Sequence, residues 1–403
     1  MRASLGLVLV VAASGLFVGS NTHALAQERM VVATSGRAIG PGGSGRLTRE
    51  LVERMADRLS LDEIQREIAM ELFRELGSTR QELGDAMRQA IEAARTEVDD
   101  GDFAAMITKI RSLTSAYSDR MSELEAVFMS DLQAMLTEEQ GQLWSHAQRM
   151  YRRGTQMQSL TRSQARVDID KLVRDEFDAA AENEDIREAL ERWEMQIDSM
   201  LLDRKRKADA MEDGNDGGFQ ELVIGGTDDP YKDLREVDGR IVTLGEQTVR
   251  AIAGILEDNA IEEAWLRRAF ARVYRETDGE KRLAAAMELG GLSDEQREQL
   301  DAASTQHYRE VGPARDRWVK AESEREEENM LPPGVSVVIS GQGESPSDEA
   351  RKAVDDLDER LERRLAAILS DAQLAELPER AGENADVLFR PRPVDGQTIR
   401  IGG

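Results

Sequence analysis

A helix-initiating pattern recurs along this chain, and its recurrence constrains the fold more than any other feature. Thr137 followed three residues later by Gln140 reads as a capping box. In that arrangement the hydroxyl accepts a free backbone N–H of the first turn while the amide reaches back to the N–H of the cap. Leu136 stands where it can fold beneath that turn. Leu136-Thr137-Glu138-Glu139-Gln140 has near-copies at Leu292-Ser293-Asp294-Glu295-Gln296, Leu369-Ser370-Asp371-Ala372-Gln373 and Leu160-Thr161-Arg162-Ser163-Gln164. A further copy, Leu61-Asp62-Glu63-Ile64-Gln65, has aspartate as the cap.

The spacing of the copies gives them weight. From Leu61 to Leu136 is 75 positions and from Leu292 to Leu369 is 77, so the two pairs predict matching helical units. The openers agree beyond the cap, since Gln65-Arg66-Glu67 matches Gln296-Arg297-Glu298. A middle unit is expected to open at Leu160 and close near Leu256, where Asn259 and Glu262 offer another capping box. That distance is 96 positions and includes a Gly/Asp-rich stretch, 214–233, whose omission restores a period of about 76.

A leucine, a Ser/Thr cap and a glutamine, repeated one helical hairpin apart, resemble the L-T-x-x-Q motif of the Spy/CpxP family of periplasmic proteins. The first unit matches at Leu61, Gln65, Leu136, Thr137 and Gln140, with Asp62 in place of the Ser/Thr cap, and Asp102-Phe103 opens a long helix between the copies. The third matches at Leu292, Ser293, Gln296, Leu369, Ser370 and Gln373. The resemblance covers about two thirds of the chain. It implies helical cradles that pair as dimers, some acting as ATP-independent chaperones and others as sensors of envelope stress or metal. A homodimer, or fusion of units within one chain in its place, is part of that implication.

Composition points the same way. With 403 residues, 4% aromatic and 33% charged, the chain suits long amphipathic helices with aliphatic and methionine seams. A net charge of −26 disfavours nucleic acid and anionic membranes and favours basic or unfolded polypeptides as partners. Without cysteine there are no disulfides, thiolate nucleophiles or cysteine metal sites. At the N-terminus, Arg2, an apolar run from Leu5 to Val18 and Ala24-Leu25-Ala26 before Gln27 read as a secretory signal cleaved after Ala26. The alternative is an uncleaved anchor, for which the run is short. The mature chain is therefore expected in the periplasm or outside the cell.

The expected class is all-α: long-helix hairpins or bundles in tandem, with short β segments in inserts and tail. The expected organisation is a signal peptide (1–26), a flexible linker (27–46), units at 47–155, 156–280 and 281–380, and a tail (381–403). In the first unit a short helix from Leu47 to Leu59 precedes a helix from Asp62 to about Val98, with Ile64, Ile68, Leu72, Leu76 and Leu83 at helical spacing. It would be about 54 Å long. A second long helix runs from Phe103 to Met135, and a fourth carries Leu143, Trp144 and Tyr151. The middle unit has helices at 162–182 and 183–213 and becomes helical again from Tyr231, with Trp265 and Tyr274 echoing Trp144 and Tyr151. In the third, Gly312-Pro313 should interrupt and kink the helix from Ser293, because proline removes a donor, and a last pair of helices spans 347–379. Leu222-Val223-Ile224 and Val335–Ile339, both β-branched and flanked by glycine, are candidates to pair as strands.

Catalytic and cofactor signals are weak. Gly40-Pro41-Gly42-Gly43-Ser44-Gly45 fits a dinucleotide pattern formally but lacks the surrounding βαβ unit. There is no G-x-S-x-G elbow, no H-E-x-x-H and no phosphate loop, so the chain is read as a non-enzyme without a cofactor. His23 falls within the signal, and His146 and His307, read as exposed or half-buried, each lack a second histidine one turn away, so no metal ligands are assigned. Arg204-Lys205-Arg206-Lys207 reads as a solvated helix face. Capping accounts for Gln65, Gln140, Gln296 and Gln373 without a ligand. Met70, Met87, Met106, Met121, Met129, Met135, Met195 and Met200 suit either an adaptable binding surface or, the preferred reading, a core poor in aromatics. The function expected is polypeptide binding without ATP, as a holdase-like chaperone or envelope-stress adaptor. The alternatives are a structural scaffold of the cell envelope and a metal or stress sensor.

Overall fold

The computed structural model describes residues 47–97, 103–214, 231–328 and 345–380, with backbone alone for 7–11, 29–34 and 335–340. The described body is all-α. Short extended stretches occur at Leu7–Val11, Arg29–Thr34 and Val335–Ser340, and the class rests on the helices. Ala24, Ala26 and Gln27, the strand candidate 222–224 and the tail lie outside the described residues. Among those residues, no helix is long and apolar enough to cross a membrane.

The chain begins with α1 (Arg49–Arg58), α2 (Glu63–Glu97) and α3 (Phe103–Ala134), followed by α4 (Glu138–Gln142) and α5 (Trp144–Gln156). Helices α2 and α3 form an antiparallel hairpin: Gln65 bonds near residue 135 at one end, and Gly84 lies against Tyr117 further along. Leu76, Phe128 and Leu132 meet along the seam, and α1 and α5 cover its base with Val52, Met55, Leu59, Trp144 and Met150.

Two 3₁₀ turns then lead to α6 (Ile169–Glu176), α7 (Asp178–Ala181), α8 (Glu184–Gly214), α9 (Lys232–Leu256) and α10 (Ala260–Ala269). The Arg204–Asp238 and Asp203–Arg240 pairs fix α8 and α9 as a second antiparallel hairpin. Its core holds Trp193, Ile197, Leu201, Val237, Ile241, Ile252 and Trp265. A second compact body contains α11 (Asp278–Met287), α12 (Asp294–Glu328), α13 (Pro346–Ile368) and α14 (Asp371–Glu376). There α12 and α13 pair antiparallel around Leu300, Leu361, Leu365 and Leu369.

Three hairpins thus share one order: a short helix or helices, two long helices, a short helix. The middle one departs from the sequence reading. Thr161 caps no helix; its N–H and hydroxyl both donate to Asp238 Oδ2, at 2.7 and 2.6 Å, and Gln164 enters a 3₁₀ turn. The helix expected from residue 162 begins at Ile169, where Asp168 is the cap. The long helix α8 opens at Asn183, whose Oδ1 accepts from Asp185 N at 2.9 Å. The residue before α10 is Asn259, 76 positions later, so the period holds with the insert left in place. At that second boundary Asp258 Oδ1, not the Asn259 side chain, takes the N–H of Ala260.

Four other expectations change. Helix α12 runs unbroken through Pro313. Arg204 is buried rather than solvated, and His307 is 2% exposed. Tyr274 lies in an irregular segment and so does not repeat Tyr151, which is helical. The compact bodies divide between Ala269 and Phe270, with the first two hairpins in one body.

Candidate functional site

Where each motif pair closes a hairpin, the glutamines do more than cap. Gln65 Oε1 accepts the N–H of Asp62, and Asp62 Oδ1 accepts the N–H of Gln65. The reciprocal box at Thr137 and Gln140 is complete. The two amides then pair with each other, Gln65 Nε2 to Gln140 Oε1 at 2.9 Å and Gln140 Nε2 to Gln65 Oε1 at 2.8 Å. Their remaining N–H groups reach Met135 O and Ser60 O. This explains glutamine over glutamate, since a carboxylate pair would repel and has no donor for those carbonyls. Elsewhere the caps Thr277 and Ser345 are completed by acids, Glu280 and Asp348, which have no such amide to meet.

The second body repeats the lock. Gln296 Nε2 donates to Ile368 O and to Gln373 Oε1, both at 3.0 Å, and the reciprocal Gln373 bond is 3.5 Å. Ser293 and Ser370 supply the caps. Leu61, Leu292 and Leu369 are buried beneath the locks and Leu136 is half-buried. The residue before each opening leucine has positive φ: 51° at Ser60 and 76° at Gly291. An early carbonyl or cap of each short helix is also held from the long helices. Arg80 takes Leu47 O and pairs with Glu125 in the first, while Asp358 accepts from Thr277 Oγ1 and Gly279 N in the second. A Cβ on residue 279 would collide with that carboxylate.

The locks yield a testable coupling. Gln140→Ala and Gln373→Ala are each expected to cost about 1–3 kcal/mol, because partners are left unsatisfied. Adding Gln65→Ala to Gln140→Ala should cost less than the sum, a positive coupling in a double-mutant denaturation cycle. Additive losses would mean that the amides act only as separate caps.

Against this braced base, the outer face of α2 is built differently. Ile64 is 71% and Ile68 43% exposed, one turn apart, beside the lock. Adjacent runs the row Glu63, Glu67, Glu71 and Glu75, all exposed at four-residue intervals. Glu71 pairs with Arg74; the others have no ion pair with a described residue. Like charges at that spacing cost a helix about 0.2–0.5 kcal/mol per pair. Neither row serves the hairpin core. Other large apolar side chains in the open are Val127 on α3, Met195 and Leu202 on α8, Met287 on α11 and Tyr308 on α12. Methionine is otherwise mostly core: Met55, Met129, Met150 and Met157 are buried, and Met70, Met87, Met121, Met135 and Met200 half-buried. The side chain of Met106 lies outside the described set.

Charge is concentrated where α1 and α5 meet α6 and α8. Arg153 has no side-chain exposure and stands 3.8, 3.7 and 3.4 Å from Asp168, Asp170 and Glu194, with its guanidinium 5.3 Å from the centre of the Trp193 ring. Burial alone would lower its pKa, but Asp168, Glu194 and Asp170 more than offset that and hold the group charged. Arg54 and Arg149 take part of the same carboxylates. His146 Nδ1 faces Arg149 at 2.8 Å and Arg58 at 3.3 Å. Burial and then Arg149 lower its pKa, which suits a neutral acceptor. The arrangement is an ion-pair lattice joining two hairpins, with no nucleophile and base held in catalytic alignment.

Compared with protein-family models, with curated proteins and with solved structures, the chain gives no match. The geometry of its own residues therefore carries the functional argument. Sequence reasoning located the locks through their caps. It missed the amide pairing, the glutamate row, and the buried charges Arg153, Arg204 and Glu280.

Proposed function

We propose that the chain is an exported helical protein that binds polypeptide segments without ATP, as a holdase-like chaperone or envelope-stress adaptor. The observation that carries this reading is the exposed Ile64–Ile68 pair on the first turns of a helix whose base is locked by Gln65 and Gln140. Covering what is exposed of Ile64, 71%, and of Ile68, 43%, returns about 1–2 and about 0.6–1.3 kcal/mol, in proportion to the roughly 1.5–3 kcal/mol of a side chain buried from full exposure. That gives the weak, reversible contact a holdase needs. Locked hairpins keep the face from collapsing onto its own core, so little ordering cost falls due on binding. The export signal read at Leu5–Val18 and Ala24–Gln27 supports action where ATP is scarce.

The test is aggregation of several unrelated denatured proteins, followed by light scattering with the mature chain near stoichiometric ratio and no nucleotide. Suppression is expected, and Ile64→Ser with Ile68→Ser should remove most of it while leaving the helical dichroism unchanged. If the wild-type chain suppresses nothing, the holdase reading falls and the envelope-scaffold alternative takes its place.

A further inference from the structure

We propose that the outer face of α2 receives cationic segments that also carry apolar side chains. This proposal rests on the polypeptide-binding reading and narrows its partner class. The face offers two parallel rows, Ile64 and Ile68 in one and Glu63, Glu67, Glu71 and Glu75 in the other. Both are spaced one helical turn apart, about 5.4 Å by pitch. Arg74, paired with Glu71, is the one cation bonded to this row among the described residues. Glu82 continues the acidic face one turn beyond a gap at Ser78.

Beyond Glu63, whose place in the first turn of α2 suits the helix dipole, neither row is explained by the fold. The isoleucines point away from the seam held by Leu76, Phe128 and Leu132. The glutamates repel one another along the helix, so an alternating row of signs would serve stability better. A partner bringing lysine or arginine beside leucine-like side chains satisfies both rows at once. Charge excludes the other occupants. A second copy would present the same acidic row within a chain of net charge −26, and nucleic acid or an anionic bilayer would be repelled. Because the glutamates are exposed, their attraction should act on encounter and be weakened by salt.

The experiment uses the mature chain and two labelled peptides with one leucine pattern, one filled with lysine and the other with glutamate, read by fluorescence anisotropy at low and raised salt. The lysine peptide is expected to bind and the glutamate peptide not. A Glu67→Gln, Glu71→Gln, Glu75→Gln variant should weaken the lysine peptide by about tenfold or more and flatten its salt dependence. Circular dichroism checks that this variant stays as helical as wild type. Equal binding of both peptides, undiminished in the glutamine variant but lost with Ile64→Ser and Ile68→Ser, would overturn the cationic preference and leave general polypeptide binding standing. Binding of neither peptide, together with no suppression of aggregation, would overturn both.

Discussion

Replacing Asp238 by alanine is expected to destabilise the first body by about 3–5 kcal/mol, because it strands a buried charge. Asp238 is 0% and Arg204 5% exposed. Arg204 Nε donates to Asp238 Oδ1 at 2.7 Å and its other nitrogens reach Ser159 Oγ and Ser159 O, so the guanidinium is held by one carboxylate and two neutral acceptors. The other carboxylate oxygen takes both donors of Thr161. One aspartate therefore ties α9 to α8 and to the turn after α5. Arg204→Met combined with Asp238→Leu should recover more than half of the loss, since an apolar pair of similar volume spares the desolvation of both charges. Recovery stays incomplete because the Thr161 N–H and hydroxyl lose their acceptor, at about 1–3 kcal/mol. Urea unfolding followed by fluorine NMR of fluorotryptophan-labelled protein reads this body at Trp193 and Trp265, which share its core. A double variant no better than Asp238→Ala would show that the hydrogen bonds, not the stranded charge, dominate.

The pair also shows where the sequence was legible and where it was not. Caps are local: Asp62, Thr137, Ser293 and Ser370 bond to residues three positions away, so the letters announce the geometry. Thr161 has the same letters around it, but a partner 77 positions distant claims its donors. Asp168 then takes over as cap, because the helix begins where Ile169, Leu172 and Val173 enter the core. The middle hairpin departs from the motif for a related reason. Asn183 has neither a leucine before it nor a glutamine to meet, although its period of 76 positions to Asn259 was present in the chain. The Gln65–Gln140 pairing could not be read from either motif alone, since each glutamine is already explained as a cap.

Arg204 and His307 were visible to a different rule. Arg204 continues the buried stripe Trp193, Ile197, Leu201 and Ala208, and His307 lies in the stripe Leu300, Ala303, Val311, Ala314 and Trp318. Helical spacing placed both inside, whereas residue type alone suggested the surface. The exposed isoleucines are the converse case. Ile64 and Ile68 fit an apolar stripe by spacing, yet the seam of α2 follows Ala69, Leu76 and Ala94 instead. Periodicity tells which residues share a face, and only the partner helix decides which face is covered.

In the second body, acid should remove about 3 kcal/mol of stability through Glu280. This carboxylate is 3% exposed; burial alone would raise its pKa, but the His307 ring 3.5 Å away and hydrogen bonds from Arg315 and from the backbone N–H of Thr277 outweigh that and hold it at about 2, against an ordinary 4.5. A folded-state pKa below the unfolded value contributes stability that is complete above the unfolded value and fades as pH falls through the folded one. The window is thus from about pH 4.5 down to about 2. At 1.36 kcal/mol per unit, the difference is about 3 kcal/mol. Facing the group are the Arg315 guanidinium at 2.8 Å and the His307 ring at 3.5 Å, both on α12, with Asp358 on α13 bonding Thr277 and Gly279. Glu280→Gln keeps an acceptor for Thr277 but loses the charge facing Arg315. At neutral pH the variant should unfold at lower urea than wild type, read at the Trp318 resonance, and the gap should close as the pH is taken towards 2, because only the wild-type group gains a proton there. Protonation of the other carboxylates lowers both proteins together and cancels in the comparison. A gap that stayed constant across this range would mean that Glu280 holds α11 through the shape of its hydrogen bonds rather than through its charge.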